Sequence, residues 1–400
     1  INGSSDTNSK EVYKGNDVTF TITPNEGYTL ENASISCSNG TISNNLLTIS
    51  NVQSDITCTI TLDEDGLTLA QAMLRDNPTI KERTSFSSTN VANTTGTLYK
   101  TNKTEDGSYV YYYSGNTTNN WVKFGGFYWR IIRTNEDGSV RLLYSGTSHD
   151  TTTGYIGNSA FNSNKDDPMY VGYMYGTNGS LTNNRTNANE STIKTTIDTW
   201  YKNNLLTNYD KYISKSAIYC NDRSIGYQGN NGLTNILDYG AYTRLNTNKT
   251  PSYKCGANTS DGLFEDSQAI EDKFSASTNG GGNGQLKYPV ALMTADEISF
   301  AGGVYHTNLS SPYAWYYNNS AGNSVTGSIF WWLLSPYDGL DSYSGVFYIL
   351  GSSSPGYFGD KRVDYEYSVR PVISISKCAK VKSGTGTPTD PYVVNENSCS

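Results

Sequence analysis

Hydrophobic and polar residues alternate along much of the N-terminal part of the chain. Residues 18–23 alternate with a period of two, as a half-buried β-strand does, and residues 24–27 supply turn chemistry. Similar runs follow at residues 33–37, 46–50 and 56–62. Short strands separated by frequent turns are typical of a β-sandwich. The pattern therefore predicts a small all-β domain over residues 1–62.

A capping box marks the first helix. Thr68 and Gln71 have the spacing that satisfies two backbone N–H groups at a helix N-terminus. Pro78 disfavours helical backbone at Asn77, so the sequence predicts a short helix over residues 68–75. We interpret residues 63–94 as a linker that contains this helix.

Two further helices are predicted in the remaining chain. Within residues 192–213, apolar side chains recur at helical spacing, at Ile193, Ile197, Trp200, Tyr201 and Leu205. A second capping box, formed by Thr294 and Glu297, begins a short helix that Gly302 ends. We expect these to be the two main helices.

Strands account for most of the remaining predicted structure. Residues 127–133 and 140–144 are rich in apolar and aromatic residues and flank Asp137 and Gly138, which together predict a β-hairpin. Further strand-like runs occur at residues 330–334, 346–350, 365–370, 372–375 and 391–394. The sequence thus predicts a β-rich α+β protein with a second, large domain over residues 95–400.

Composition narrows the classes of function. Charged residues make up 16% of the 400 residues and the net charge is −8, which excludes nucleic-acid binding through a basic surface. No apolar run reaches the roughly 18 residues of a membrane-spanning helix, so we predict no membrane span in this chain. Tyrosine is abundant, with 33 residues against 11 phenylalanines. Tyrosine with Ser, Gly and Asn also dominates antibody binding loops, because it offers rigid, amphipathic contact area.

The six cysteines fall into pairs that are close in sequence. None lies in a C-x-x-C motif and the chain has two histidines, so zinc-ligand spacing is absent. We predict the sequential disulfides Cys37–Cys58, Cys220–Cys255 and Cys378–Cys399, because each pair occupies a separate stretch of chain. Disulfides favour an oxidising, extracellular environment.

Two phrases near the N-terminus carry a resemblance. "TPNEGYTL" and "SDITCTITL" resemble segments of the immunoglobulin-like repeats of Gram-positive surface proteins. Such repeats usually act as stalks or spacers. The resemblance therefore implies an immunoglobulin-like stalk domain over residues 1–62.

Four motifs in the rest of the chain carry a second resemblance. In order they are "WVKFGGFYWRIIRTNEDGSVRLLYSG", "YPVALMTADEISFAGG", "WWLLSP" and "SVRPVISI". Together they resemble a family of secreted proteins from Gram-positive gut-type bacteria. The last two also resemble the end of the C-type-lectin-like fold of formylglycine-generating enzymes and of variable proteins diversified by retroelements. The resemblance implies a C-type-lectin-like domain over residues 95–400.

Three residues of these motifs are interpreted as scaffold. Trp331 and Trp332 should point to opposite faces of one strand, since successive side chains alternate. Arg370 precedes Pro371, and a guanidinium there can bind backbone carbonyls or a carboxylate and fix the preceding loop.

The predicted binding surface lies between the W-W and V-R-P motifs. By resemblance to the lectin-like fold, residues 335–370 form the ligand-facing surface. The predicted ligand-binding residues are Tyr337, Tyr343, Tyr357 and Tyr365, with Trp315 and Tyr316 from a neighbouring aromatic cluster. Aromatic faces beside amide and hydroxyl groups suit sugars or protein epitopes. We therefore predict a non-catalytic adhesin or lectin-like protein, secreted or at the bacterial cell surface, whose ligand is a host or microbial glycan or protein.

Two alternatives stay open. The first is a structural subunit of an extracellular filament, in which edge strands or termini join copies of the chain. The second is an enzyme of the formylglycine-generating type, which requires a reactive cysteine pair in its core. No cysteine lies between Cys255 and Cys378, so we predict no catalytic residues. No cofactor is predicted, although Asp338 and Asp341 could supply oxygen ligands to calcium.

Overall fold

The chain divides into two compact units, Ile1–Leu67 and Thr68–Ser400. In the computed structural model, the residues described are 3–25, 28–64, 66–89, 97–177, 183, 186–228, 237–256, 272–277, 284–340 and 343–399. Strands outnumber helices in both units, so the prediction of a β-rich α+β protein is confirmed.

The described residues of unit 1 form six short strands. They are β1 (Gly3–Ser5), β2 (Val18–Pro24), β3 (Tyr28–Ile35), β4 (Gly40–Ser43), β5 (Leu46–Ile49) and β6 (Ile60–Glu64). One antiparallel sheet has the order β1-β2-β5-β4, and β3 pairs with β6. The alternation along β2 and β5 buries Ile22, Leu47 and Ile49. Cys37 and Cys58 pack against this small core.

Unit 2 contains the other strands and the helices of the described residues. The strands are β7 (Thr79–Glu82), β8 (Thr97–Thr101), β9 (Val110–Tyr112), β10 (Trp121–Phe124), β11 (Phe127–Thr134), β12 (Val140–Tyr144), β13 (Asn158–Ala160), β14 (Met174–Tyr175), β15 (Asn189–Glu190), β16 (Tyr219–Cys220), β17 (Ile225–Gln228), β18 (Leu237–Tyr239), β19 (Lys273–Ser275), β20 (Gly284–Gln285), β21 (Trp331–Leu340), β22 (Tyr343–Ile349), β23 (Phe358–Arg362), β24 (Glu366–Ser368), β25 (Val372–Ile375), β26 (Val381–Ser383) and β27 (Tyr392–Val394). The helices are α1 (Leu69–Asp76), α2 (Thr192–Asn204), α3 (Gly240–Tyr242), which continues into a π-helical turn at Thr243–Asn248, and α4 (Ala295–Ala301), with 3-10 turns at Pro168–Val171 and Asp210–Tyr212.

Two large sheets organise unit 2. The nine-stranded sheet has the order β26-β27-β10-β11-β9-β8-β7, and β12 joins β11 to β25. The predicted hairpin is confirmed, because β11 and β12 pair antiparallel around the Asp137–Gly138 turn. The seven-stranded sheet has the order β13-β24-β21-β18-β17, and β22 joins β21 to β23.

The three predicted scaffold residues, Trp331, Trp332 and Arg370, are buried. The Trp332 indole N–H donates to the carbonyl of Ser159, 2.9 Å away. The Arg370 guanidinium lies over the Trp331 ring, 4.7 Å from its centroid. Arg370 also donates to the backbone carbonyls of Tyr144 and Tyr316, at 3.0 and 2.8 Å.

Both predicted capping boxes are present, at the N-termini of α1 and α4. Helix α2 begins as predicted but ends at Asn204, nine residues short of residue 213. The chain leaves the helix because Tyr209 and Tyr212 turn to pack on Phe124 of β10, with ring centroids 5.5 and 6.1 Å apart. A tertiary contact therefore overrides the helical periodicity.

The segment 63–94, interpreted above as a linker with a short helix, does not lie outside both units. Helix α1 buries Leu69, Ala72 and Met73, and β7 pairs in parallel with β8. From Thr68 onward these residues are part of unit 2, because the helix has an apolar face that unit 2 covers. Residues 90–94 lie outside the described residues.

All six cysteines form the predicted sequential disulfides. Cys37–Cys58 and Cys378–Cys399 each join residues 21 positions apart, and Cys220–Cys255 joins residues 35 positions apart. The first lies in unit 1 and the other two lie in unit 2. Each unit is therefore cross-linked within itself.

A buried carboxylate connects the hairpin to helix α4. Arg133 of β11 stands directly opposite Arg141 of β12, and both side chains are buried. Glu297 accepts hydrogen bonds from Arg133 Nε at 3.3 Å and Arg141 Nη1 at 2.8 Å. Its second oxygen accepts from the Thr294 backbone N–H at the start of α4. Burial alone would raise the pKa of Glu297, but the two arginines hold it below its usual value.

We predict that the two units depend on separate disulfides. The Cys37→Ser/Cys58→Ser double variant should unfold unit 1, because so small a core needs its cross-link, which contributes about 2–5 kcal/mol. The unit 2 transition should stay in place in differential scanning calorimetry. Cys378→Ser/Cys399→Ser opens a loop of the same length in unit 2 and should lower only the other transition. A joint loss of both transitions in either variant would contradict this prediction.

We also predict that Glu297→Gln destabilises unit 2 by about 3–5 kcal/mol in urea unfolding. The two facing arginines would lose the buried carboxylate that they share, and Arg133 would keep only the partly exposed Glu136 as a partner. Glu136→Gln is the matched control, since Glu136 contacts Arg133 from a partly exposed position at 3.4 Å. The control variant should lower the free energy of unfolding by no more than about 1 kcal/mol. Equal losses in the two variants would refute the proposed role of Glu297.

Candidate functional site

Two of the six predicted ligand-binding residues lie in the core. Trp315 is 1% exposed and Tyr316 is fully buried. The Trp315 indole N–H donates to the carbonyl of Tyr113, and the Tyr316 hydroxyl donates to the carbonyl of Gly356. These side chains fasten loops to the sheet and are not available to a ligand at the surface. They are therefore removed from the candidate surface.

The other four predicted residues surround the β21–β23 part of the seven-stranded sheet. Tyr337 lies in β21, Tyr343 begins β22, Tyr357 precedes β23, and Tyr365 lies between β23 and β24. Tyr365 is 42% exposed, and the other three are partly exposed. Tyr337 and Tyr357 belong to one group of packed rings, and Tyr365 belongs to another.

The larger group is a row of five rings, which we call the ring ladder: Tyr357, His306, Tyr305, Tyr337 and Tyr242. Tyr357 stacks on His306 with centroids 5.6 Å apart, and His306 stacks on Tyr305 at 3.9 Å. Tyr305 stacks on Tyr337 at 5.9 Å, and Tyr242 meets Tyr337 edge to face at 5.0 Å. Tyr305 is buried in the middle, whereas the rings on either side of it reach solvent. The ladder is thus a rigid aromatic surface with a buried anchor.

The second group consists of Tyr348 of β22 with Tyr365 and Tyr367. Tyr365 stacks on Tyr367 at 6.2 Å, and Tyr367 stacks on Tyr348 at 5.6 Å. The Trp332 ring packs against the Tyr367 ring, with centroids 4.8 Å apart. Exposure increases along this group from Tyr348, which is buried, to Tyr365.

Polar groups border the ring ladder. The Tyr305 hydroxyl hydrogen-bonds to the Asp360 carboxylate at 3.0 Å and to the Tyr337 hydroxyl at 2.9 Å. His306 Nε2 lies 3.5 Å from the same carboxylate. Burial, with these hydrogen bonds, raises the pKa of Tyr305, so its ring is neutral. Hydroxyl, imidazole and carboxylate groups therefore lie beside the aromatic faces.

Asp338 lies in β21, between β18 and β22, and another acidic residue lies opposite it. The β18–β21 register pairs Asp238 with Asp338. The Oδ1 atom of Asp338 is buried and has no hydrogen-bond partner. Burial raises the pKa of Asp338 to about 8, and the nearby Asp360 and Asp238 carboxylates add to the shift. Gly345 allows this arrangement, because a Cβ atom there would overlap Oδ1 of Asp338.

A calcium site does not emerge from the described residues. Within them, no group of three or more histidine, cysteine or carboxylate side chains could hold a metal ion. Asp341, the other predicted calcium ligand, lies outside the described residues. Among the described helices, none has the length and apolar character needed to cross a bilayer.

Sequence reasoning missed three members of this surface. His306 was not among the predicted ligand-binding residues; its backbone lies in the left-handed region, with φ of 56°, and its ring stacks on Tyr305. Asp360 lies beside Phe347 only because the β22–β23 register pairs these two residues. Tyr242 arrives from a distant helical turn. None of the three placements has a local sequence signal, since each depends on pairing across the chain.

Comparison with known proteins adds no relative. No protein-family model, curated protein or solved structure matches this chain at a significant level.

We predict that Asp338→Asn changes the pH dependence of stability. Because the folded protein raises the pKa of this carboxyl from 3.8 to about 8, wild-type stability should fall as the pH rises between these values. The variant loses this slope, so its advantage in urea unfolding should grow from pH 4 to pH 9. Glu366→Gln removes an exposed carboxylate and is the control for the change in net charge. Parallel pH profiles for wild type and Asp338→Asn would show that Asp338 ionises freely.

Proposed function

We propose that this protein is an extracellular, non-catalytic adhesin or lectin-like protein that binds a glycan or protein ligand through the ring ladder. The observation that carries the proposal is the row of partly exposed, stacked rings bordered by hydroxyl and carboxylate groups. Rigid aromatic rings offer contact area at low entropic cost, and neighbouring polar groups set the orientation of a ligand.

The chemistry of the ladder suits a glycan in particular. The outer face of Tyr357, at the end of the ladder, can pack against the apolar C–H face of a sugar ring. His306 is stacked between Tyr357 and Tyr305 and offers its exposed edge for hydrogen bonds. The Asp360 carboxylate, next to these rings, can accept hydrogen bonds from sugar hydroxyls. A protein epitope with a protruding polar loop would use the same groups.

The two units have separate proposed roles. Unit 1, with its two small antiparallel sheets and one disulfide, is proposed as the immunoglobulin-like stalk. Unit 2 is proposed as a C-type-lectin-like domain in which Trp331, Trp332 and Arg370 act as scaffold. Three disulfides support the proposed extracellular location.

The alternatives have less support. All six cysteines are in disulfides, so an enzyme of the formylglycine-generating type would have to take its reactive pair from one of them. A filament subunit would need an edge strand open to pairing. Strand β7 ends the described nine-stranded sheet and is exposed at all four positions. Its Lys81 and Glu82, however, are charges of the kind that protect an edge strand from pairing.

We predict that the Tyr357→Ala/His306→Asn double variant loses ligand binding by about tenfold or more, because binding energy concentrates in a few aromatic anchors. Asparagine preserves the left-handed backbone at residue 306. Binding is measured on glycan arrays and on intact cells, and folding by the melting temperature. Tyr109→Ala is the matched control, since Tyr109 is 54% exposed in unit 2 outside the ladder.

The control variant should bind like the wild type. If the double variant keeps both its melting temperature and its binding, the ladder is not the binding surface. Equal loss of binding in the Tyr109→Ala control would point to a surface elsewhere.

A further inference from the structure

The two groups of rings differ in the charges beside them. In the second group, Lys361 and Arg362 lie over the Tyr365 ring, 5.2 and 5.0 Å from its centroid. Among the described residues, no lysine or arginine lies over any of the five rings of the ladder. The face of an aromatic ring attracts a cation, so the ladder offers faces that no lysine or arginine of the described chain uses.

The charged group in contact with the ladder is a carboxylate. Asp360 accepts a hydrogen bond from the Tyr305 hydroxyl and lies 3.5 Å from His306 Nε2, and its side chain is 22% exposed. Arg362, two residues further along β23, forms an ion pair with Asp364. The positive charge closest along this strand is therefore offset by its own partner, and Asp360 is left to attract a ligand.

At one end of the ladder, two rings form a corner. The Tyr242 ring lies at 84° to the Tyr337 ring and at 90° to the Tyr305 ring. Tyr242 and Tyr337 are partly exposed. Burial and the nearby Asp238 carboxylate raise the pKa of Tyr242, so a second acidic group lies beside this corner. Rings that present their faces to one point are the arrangement by which proteins bind ammonium groups.

These features favour one class of ligand. A positively charged group would be attracted both by the ring faces and by the carboxylates, whereas an anionic sugar would be repelled by Asp360. We infer that the ring ladder selects glycans that carry a protonated amino group over N-acetylated glycans of the same backbone. The inference rests on the proposed function of the ladder and names the class of glycan that the ladder prefers.

The test compares three disaccharides with one backbone. They are the disaccharide of glucosamine, its N-acetylated counterpart and its N-trimethylated counterpart, whose positive charge does not depend on pH. Each is titrated into the full chain at pH 6, where the amino groups are protonated, and binding is followed by calorimetry and ligand-observed NMR. Comparison of the first two probes isolates the charge, and the third separates a cation from a hydrogen-bond donor.

Two variants of equal net charge locate the effect. Asp360→Asn removes the carboxylate charge but keeps an oxygen that can accept from the Tyr305 hydroxyl. Glu366→Gln is the matched control, because it removes one exposed carboxylate outside the ladder. Tyr242→Leu removes one ring of the corner. Melting temperatures establish that each variant is folded.

We expect both cationic disaccharides to bind about fivefold or more tightly than the N-acetylated one. Asp360→Asn should reduce this preference about fivefold, because a hydrogen bond to a charged group contributes more than one between neutral groups. Tyr242→Leu should weaken the binding of both cationic disaccharides about threefold or more. Glu366→Gln should leave the preference unchanged.

Equal or tighter binding of the N-acetylated disaccharide would overturn the inference. The proposed function would survive that result if Tyr357→Ala/His306→Asn still abolished binding, and it would fail if this double variant bound all three probes like the wild type. Absence of saturable binding of both cationic disaccharides would also overturn the inference. Equal effects of Asp360→Asn and Glu366→Gln would overturn it too, because they would show attraction to the net charge of the protein alone.

Discussion

Two arginines face each other across the β11–β12 hairpin, and one buried carboxylate, Glu297, forms an ion pair with both. Like charges directly opposite on neighbouring strands repel, and burial removes the water that would screen them. Glu297 relieves this repulsion and, with its other oxygen, caps helix α4. The hairpin and the start of α4 are thereby held at a fixed separation.

The strand pair β18–β21 presents the opposite case. Here two carboxylates, Asp238 and Asp338, face each other. Among the described residues, no basic side chain forms an ion pair with either of them. Burial, together with the Asp360 and Asp238 carboxylates, raises the pKa of Asp338 to about 8, so Asp338 retains its proton at neutral pH. The nine-stranded sheet therefore contains a buried network of charged side chains, whereas the seven-stranded sheet keeps the Asp338 carboxyl neutral beside the ring ladder.

Two arginines that have no carboxylate partner among the described residues, Arg130 and Arg370, fasten loops of unit 2. Arg130 lies over Trp121 at 4.1 Å and donates to the carbonyls of Thr117 and Asn318. Arg370 donates to the carbonyl of Tyr316, and burial lowers its pKa to about 9. Both guanidiniums are planar and bind several carbonyls at once, which lysine cannot do in the same geometry. These contacts hold residues 315–318 in the core. Tyr305 and His306 of the ladder lie shortly before this segment in the chain.

The sequence alone was sufficient to predict those features that depend on residues close together in the chain. The capping boxes at Thr68 and Thr294, the Asp137–Gly138 hairpin and the three disulfides all join residues close in the chain, so their signals are local. The tertiary structure decided which aromatic rings are buried. Tyrosine suits both a core and a surface, and composition could not separate Tyr316 from Tyr357. Sheet register likewise brought Glu297 to two arginines 164 and 156 residues away, where the sequence showed only a helix cap. Such contacts depend on which strands pair and which face each side chain takes, and a shift of one residue would reverse them.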